Sequence, residues 1–349
     1  SGRLLTTGNA SARAEGNLLS SAVKFEHPTG HLSLQLDTRA GSTANDRPFA
    51  CFRIGAPGDC DRGPFDFHLP LNCLGSTESE TWMLDEPGDP LMTQTVRAVR
   101  NDQLLLCELS MPVNGDIYQP AFGIYEQLFH FLESENFGHV VRIWNHIPAI
   151  GAGEGDNECY KRFCLGRGEA LDRYHSGRHP PAGTGVGIKP GLPLHLLVLA
   201  SKRAPRLLEN PRQVSAFRYP RQYGPRSPSF SRAVALRGRE RDFLFVSGTA
   251  AIVGHHSQHE QDLAAQVTET LANWEQLFEV YAFGGNRLPG FHSEAVFRAY
   301  LRHPEDLEHC QTVLDSVGFP LHRTSFFQAD ICRSELLFEL DGTLSIPLV

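Results

Sequence analysis

"QPAFGIYEQLFHFLESENFGHVVRIWNHIPAI", residues 119–150, decides the fold. Ile124, Leu128 and Phe131 recur at the three- and four-residue spacing of an amphipathic helix, and "HVVRIW" after them is an apolar strand with an arginine inside it. The pattern returns further along. "DLAAQVTETLANWEQLFEVYAFG" (262–284) puts Val267, Leu271, Trp274 and Phe278 on one helical face, and "SEAVFRAYLRHPEDLEHCQTVL" (293–314) opens with the strand "VFRAY". A strand precedes each helix, "QLLLCELS" (103–110) and "DFLFVSGTAAI" (242–252). A closing strand follows each unit, in "LPLHLLVLAS" (192–201) and "TSFFQADICRSELLFEL" (324–340). This order predicts an α+β fold of two units in tandem, each a mixed sheet with helices packed on one face. The join is expected in "SKRAPRLLENPRQ" (201–213), polar and broken by two prolines. It divides the chain into residues 21–205 and 206–349, behind a small, polar and loose segment 1–20.

The 349 residues carry a net charge of −8, which argues against nucleic acid or an anionic membrane as a partner. Apolar runs such as "LLVLA" (196–200) are far too short to span a bilayer, and no basic stretch precedes an apolar one as in a secretory signal. Eight cysteines (51, 60, 73, 107, 159, 164, 310 and 332) form no C-x-x-C pair, so free thiols and a cytoplasmic setting are expected rather than disulfides or a cysteine-built zinc site.

Several segments are candidates for chemistry. "PAGTGVGIKPG" (181–191) is glycine-rich but lacks the complete phosphate-loop spacing, and reads better as a tight turn feeding a strand. "GHHSQHEQD" (254–262) gathers His255, His256, His259 and Glu260 outside any H-E-x-x-H pattern, in a loop before a helix. "FRYPRQYGPRSPSFSRA" (217–233) sets four arginines among aromatics and prolines, a rigid frame suited to holding a small anion. "CYKRFCLGRGEAL" (159–171) adds Arg162 and Arg167 at a helix start. In "RSELLFELDG" (333–342) an apolar strand carries Glu339, followed by a turn at Asp341-Gly342. Alternation puts Glu339 on the face of Leu337, so the carboxylate is either on a wet face or in an apolar pocket that favours its protonated form.

Taken in order, "RIWNHIPAI" (142–150), "YKRFCLGRGEAL" (160–171), "PAGTGVG" (181–187), "YPRQYGPRSPSFSRA" (219–233), "FVSGTAAIVGH" (245–255) and "DICRSELLFELDG" (330–342) resemble the chorismatase family. The likeness implies two fused YjgF/RidA-like (chorismate mutase-like) units. It also implies loss of the enolpyruvyl group of chorismate as pyruvate, with no metal or organic cofactor. Glu339 matches the family's general acid on the enolpyruvyl methylene. Gly248 and Cys332 match the glycine and cysteine of members that form 3-hydroxybenzoate, alone or together with 4-hydroxybenzoate. Members that release a dihydroxy-cyclohexadiene acid carry alanines at both positions. The substrate's two carboxylates call for cationic forks, for which Arg142, Arg162, Arg226 and Arg333 are the candidates, with Tyr219 and Tyr223 as hydrogen-bond donors. Cys332 lies an odd number of residues before Glu339, so a bend between them is required for both to line one pocket. Residues 1–100 match nothing in the family pattern. An imine hydrolase or ligand-binding protein of the parent fold, and an iron oxygenase using the histidine loop, are the rival readings. Two fused units bury surface that single units bury by trimerising, so a monomer or weak oligomer is expected.

Overall fold

The computed structural model describes residues 32–37, 48–54, 63–77, 79–84, 88–175 and 179–349. The expected loose segment 1–20 and Cys60 lie outside them. The chain opens with β1 (Leu32–Asp37), β2 (Ala50–Ile54), β3 (Asp66–Leu69), the two-residue β4 (Asn72–Cys73) and β5 (Ser79–Leu84). The first unit runs β6 (Asp89–Met92), β7 (Val96–Arg100), β8 (Leu104–Met111), α1 (Tyr118–Ser134), β9 (His139–Pro148), α2 (Cys159–Tyr174), β10 (Ala182–Ile188) and β11 (Leu194–Ser201). The second begins β12 (Arg206–Leu208), β13 (Ala233–Arg237), β14 (Arg241–Ala250) and the hairpin β15 (Ile252–Val253) and β16 (His256–Ser257). It continues α3 (Leu263–Phe283), β17 (Glu294–Leu301), α4 (Leu307–Ser316), β18 (Thr324–Gln328) and β19 (Phe338–Pro347).

The sheet orders make the repeat explicit. The first unit pairs its strands β10-β9-β11-β8-β7-β6, and the second pairs β18-β17-β19-β14-β13-β12 in the corresponding sequence, with β4 added at the edge. In each, the outermost pair is parallel and the others antiparallel. Each unit therefore closes on two strands and carries a second helix, where the sequence pattern distinguished one closing strand. The third sheet, β1-β5-β2-β3, is built from strands between residues 32 and 84.

Inner faces of the three sheets meet in one core, where Trp82 of β5 lies 6.1 Å from Trp144 of β9 and 6.2 Å from Phe245 of β14, centroid to centroid. Outer faces are covered by helices, α1 and α2 through Ile124, Leu128 and Phe163, and α3 and α4 through Val267, Trp274 and Leu314. Each such side chain contributes about 1.5–3 kcal/mol on burial. Asp262 caps α3, accepting the Ala265 amide at 3.0 Å.

Two local expectations are corrected. Asp341-Gly342 is no turn but the middle of β19. A Cβ on Gly342 would meet the Val296 carbonyl and the Phe297 ring at 2.9 Å and Trp274 at 3.0 Å, so the glycine is there for close packing against β17 and α3. "PAGTGVGI" is likewise the strand β10, not a turn; Gly183 and Gly187 leave room for Phe230 and Asp330, which a Cβ would meet at 3.0 and 2.7 Å.

Candidate active site

The two units join where β10 approaches β14, and that seam holds the site. β14 bulges opposite β19: Val246 faces Gly342 and Thr249 faces Leu340, so Ser247 and Gly248 stand against the single residue Asp341. The bulge bonds across to the first unit instead. Gly248 N–H donates to Thr184 Oγ1 (3.0 Å), and Ser247 Oγ accepts from the Gly183 amide (2.8 Å). Beside it opens a cavity of about 700 Å³ lined from both units, which fits a small-molecule ligand.

Glu339 lines this cavity from β19, opposite Ala250 and Tyr300 of the neighbouring strands. Only 4% of it is exposed, and its carboxyl has no hydrogen-bond partner among the described residues. Burial, and then the charge of Asp341, push its pKa up to about 8, with Arg142 opposing them. The expected face-sharing with Leu337 does not hold, because Leu337 precedes the strand and packs with the α3 core. Glu339 is instead pressed by Gly248, where a Cβ would sit 2.0 Å from Glu339 Oε1. Behind the acid, Asp341 Oδ2 accepts from Arg142 Nη2 (2.9 Å), Thr184 Oγ1 (2.7 Å) and Tyr300 Oη (2.9 Å).

Cys332, Arg333, Tyr219, Tyr223 and Gly248 also line the cavity. Residues 332–335 form a turn, which supplies the bend that the spacing of Cys332 and Glu339 demands. Burial and the Glu339 charge push the Cys332 thiol up to about 12, so it carries its proton at neutral pH. The Arg333 guanidinium stacks 4.0 Å from the Tyr223 ring centroid.

Three of the predicted arginines do not reach the cavity wall. Arg142 is fully buried against Asp341 and stacked on Trp144 at 4.5 Å. Arg162 pairs with Asp116 on the far side of α2 (Nε–Oδ1 3.1 Å). Arg226 forms a bidentate pair with Asp172 of α2 (2.7 and 2.8 Å), and Arg221 does the same with Asp156 (2.6 and 3.0 Å). The segment 217–233 thus roofs the cavity with Tyr219, Tyr223 and Phe230 and turns Arg221 and Arg226 outward as fastenings to the first unit.

Among the described residues five cations line the cavity; Lys161 is paired with Glu158 and Arg302 with Asp330, which leaves Arg167, Arg232 and Arg333. None of the three forms a salt bridge among the described residues, although the Glu209 carboxylate lies near enough to Arg232 to feel its charge, and each leaves a buried N–H without an acceptor: Arg167 Nε, Arg232 Nε and Arg333 Nη2. Arg232 otherwise donates to the Val214 carbonyl (2.7 Å) and Tyr219 Oη (2.8 Å). Buried positive charge without a counter-ion is costly, and an anion in the cavity would relieve it. Arg167 had a readable signal, since Phe163, Cys164, Arg167 and Ala170 share the buried stripe of α2. Arg232 was one of the four arginines of the segment 217–233, but nothing in the sequence singled it out, because only the seam between the units points it inward. The histidine loop is engaged locally: His255 Nδ1 meets Tyr223 Oη at 3.3 Å and His259 pairs with Glu269 at 3.1 Å. No three metal-ligating side chains converge there or elsewhere among the described residues.

Comparison with known proteins fits this geometry. Residues 80–200 match the family model described as chorismatase FkbO/Hyg5-like, N-terminal. A 3-hydroxybenzoate synthase of Streptomyces hygroscopicus is 30% identical over 288 residues, covering 79% of this chain and 85% of that protein. The chain belongs to the chorismatase family. A chorismatase of Streptomyces rapamycinicus is 31% identical over 277 residues, covering 76% of this chain and 82% of its own length. A chorismatase crystal structure superposes on 90% of this chain and 99% of its own with a TM-score of 0.80 at 25% identity. No helix among the described residues is long and apolar enough to cross a membrane.

Proposed function

We propose that this enzyme cleaves chorismate to pyruvate and 3-hydroxybenzoate, with Glu339 as the general acid. The observation that carries this reading is a bare, buried carboxyl facing a cavity that also holds three arginines outside any salt bridge, each with a buried N–H left unbonded. Chorismate brings two carboxylates to such a lining. Protonating an enol-ether carbon needs an acid that keeps its proton near pH 7, and a pKa of about 8 meets that need.

In this reading Glu339 delivers its proton to the enolpyruvyl methylene, leaving an oxocarbenium ion beside a carboxylate held by arginine. The ring's neighbouring hydroxyl then attacks the ether-bearing ring carbon. The ring carbon–oxygen bond breaks toward the oxocarbenium oxygen, which becomes the carbonyl of pyruvate, and the hydroxyl proton returns to Glu339. The resulting epoxide isomerises to the hydroxybenzoate, with the protonated Cys332 thiol placed to relay a proton as the ring aromatises. No water is consumed. If water attacks in place of the hydroxyl, the product is the diol. Gly248 bears on this choice because it sets where the Glu339 carboxyl sits.

The cytoplasm is the compartment we assign, and a monomer or weak oligomer the assembly. The test is incubation of the purified protein with chorismate and continuous detection of pyruvate. Pyruvate release dependent on Glu339 supports the reading; its absence favours a ligand-binding or imine-hydrolysing role for the same cavity.

A further inference from the structure

One arginine in the cavity wall binds protein instead of facing the cavity with a free edge. Arg302 follows β17, and its guanidinium is spent on the turn that leads into β19. Nε donates to the Leu336 carbonyl (2.9 Å), Nη2 to the carbonyls of Ile331 (3.0 Å) and Arg333 (2.8 Å), and Nη1 to Asp330 Oδ1 (2.9 Å). These acceptors bracket the segment 330–336, which presents Cys332 and Arg333 to the cavity. Apolar packing on the segment is light, since Ile331 and Leu336 join a small cluster with Ala250 and Ile252 and Cys332 alone reaches the first unit's core; besides Arg302, Gly187 holds Asp330 and Gln266 holds Glu335 at the two ends. Behind Arg302 and Asp330 lies a second cavity of about 590 Å³, so no packed layer backs the segment there. Glu339, by contrast, is fixed by strand pairing to Ala250 and Tyr300.

We propose that Arg302 is a positioning residue, whose planar fork sets the segment 330–336 and thereby aims Arg333 and Cys332 at the substrate while leaving the acid to the strand. The proposal rests on the function inferred above. A lysine does not substitute, because a single ammonium lacks the in-plane set of donors that reaches carbonyls on both sides of the turn. Displacing a binding group by about 1 Å costs on the order of 10²-fold.

The test uses Arg302→Ala and Arg302→Lys in the full chain, with chorismate as substrate. Both variants are expected to raise KM by roughly 10- to 100-fold and to shift product toward the diol. The pH limb set by Glu339 stays in place, and added guanidinium restores part of the activity of Arg302→Ala. In a double-variant cycle, Arg302→Lys combined with Arg333→Ala is expected to be little worse than Arg333→Ala alone, since one acts through the other. Should Arg302→Ala fail to fold, Arg302→Lys, which keeps the stem and the charge on Asp330, decides by the same readouts. Wild-type KM and product ratio in the folded lysine variant, or full additivity with Arg333→Ala, overturns the proposal. Wild-type protein that releases no pyruvate overturns the underlying function instead.

Discussion

Glu339→Gln replaces the buried acid by a neutral group of nearly the same shape, and its effect on stability follows from the site. Glu339 has an ordinary pKa of 4.5 and a folded value of about 8. Between those pH values the native state keeps a proton that the unfolded chain has released, so stability falls as pH rises, by about 1.4 kcal/mol per pH unit. The loss is nearly complete above the folded pKa. Between pH 5 and pH 9 the wild type should lose about 4 kcal/mol relative to Glu339→Gln, a large share of the 5–15 kcal/mol typical of a domain. Titrating groups that do not interact with Glu339 are common to both proteins and cancel in the difference. Urea unfolding at a series of pH values measures it, with Trp82, Trp144 and Trp274, all buried, as fluorescent reporters. Curves for the two proteins that run parallel within about 1 kcal/mol across that range would refute a proton held on Glu339 by its surroundings.

Arg167→Ala and Arg232→Ala should each weaken chorismate binding by roughly 2–5 kcal/mol, while the outward-facing Arg162→Ala and Arg226→Ala change it by less than ~0.5 kcal/mol. Calorimetry that ranks them the other way contradicts the assignment of the cavity lining. Asp341→Asn removes the charge that disfavours the ionised form of Glu339, so the descending limb of kcat/KM should move to lower pH; an unmoved limb sinks that role. Gly248→Ala places a methyl carbon 2.0 Å from Glu339 Oε1 and must displace the flexible carboxyl. The protein should stay folded while turnover falls ~10²-fold, and adding Cys332→Ala should carry product toward the diol. An unchanged rate and product ratio would remove both residues from the mechanism.

Strand and helix periodicity revealed the duplication because both units repeat their helix-then-strand pattern, and the arginine inside each strand, Arg142 and Arg298, falls at the same point. The third sheet stayed hidden: its strands are four to six residues long and pair mainly with one another. Glu339 was legible as a carboxylate among apolar residues, although what buries it is a bulge on β14 rather than its neighbours in sequence. The arginines were the hard part. Arg162, Arg226 and Arg232 look alike in a string of residues, and only the fold decides that Asp116 and Asp172 neutralise the first two while Arg232 points inward. Arg142 and Arg302 are likewise spent on Asp341 and on backbone carbonyls, partners distant in sequence or acceptors with no side-chain signature.

The most direct measurement is chromatography of chorismate incubated with wild type and, in parallel, with Glu339→Gln. The account predicts pyruvate and 3-hydroxybenzoate in equal amounts from the wild type, and a rate lower by ~10²–10⁴ or more from the variant with substrate still bound. A wild-type product that is mainly the diol, or near-normal turnover by a folded Glu339→Gln, would contradict it.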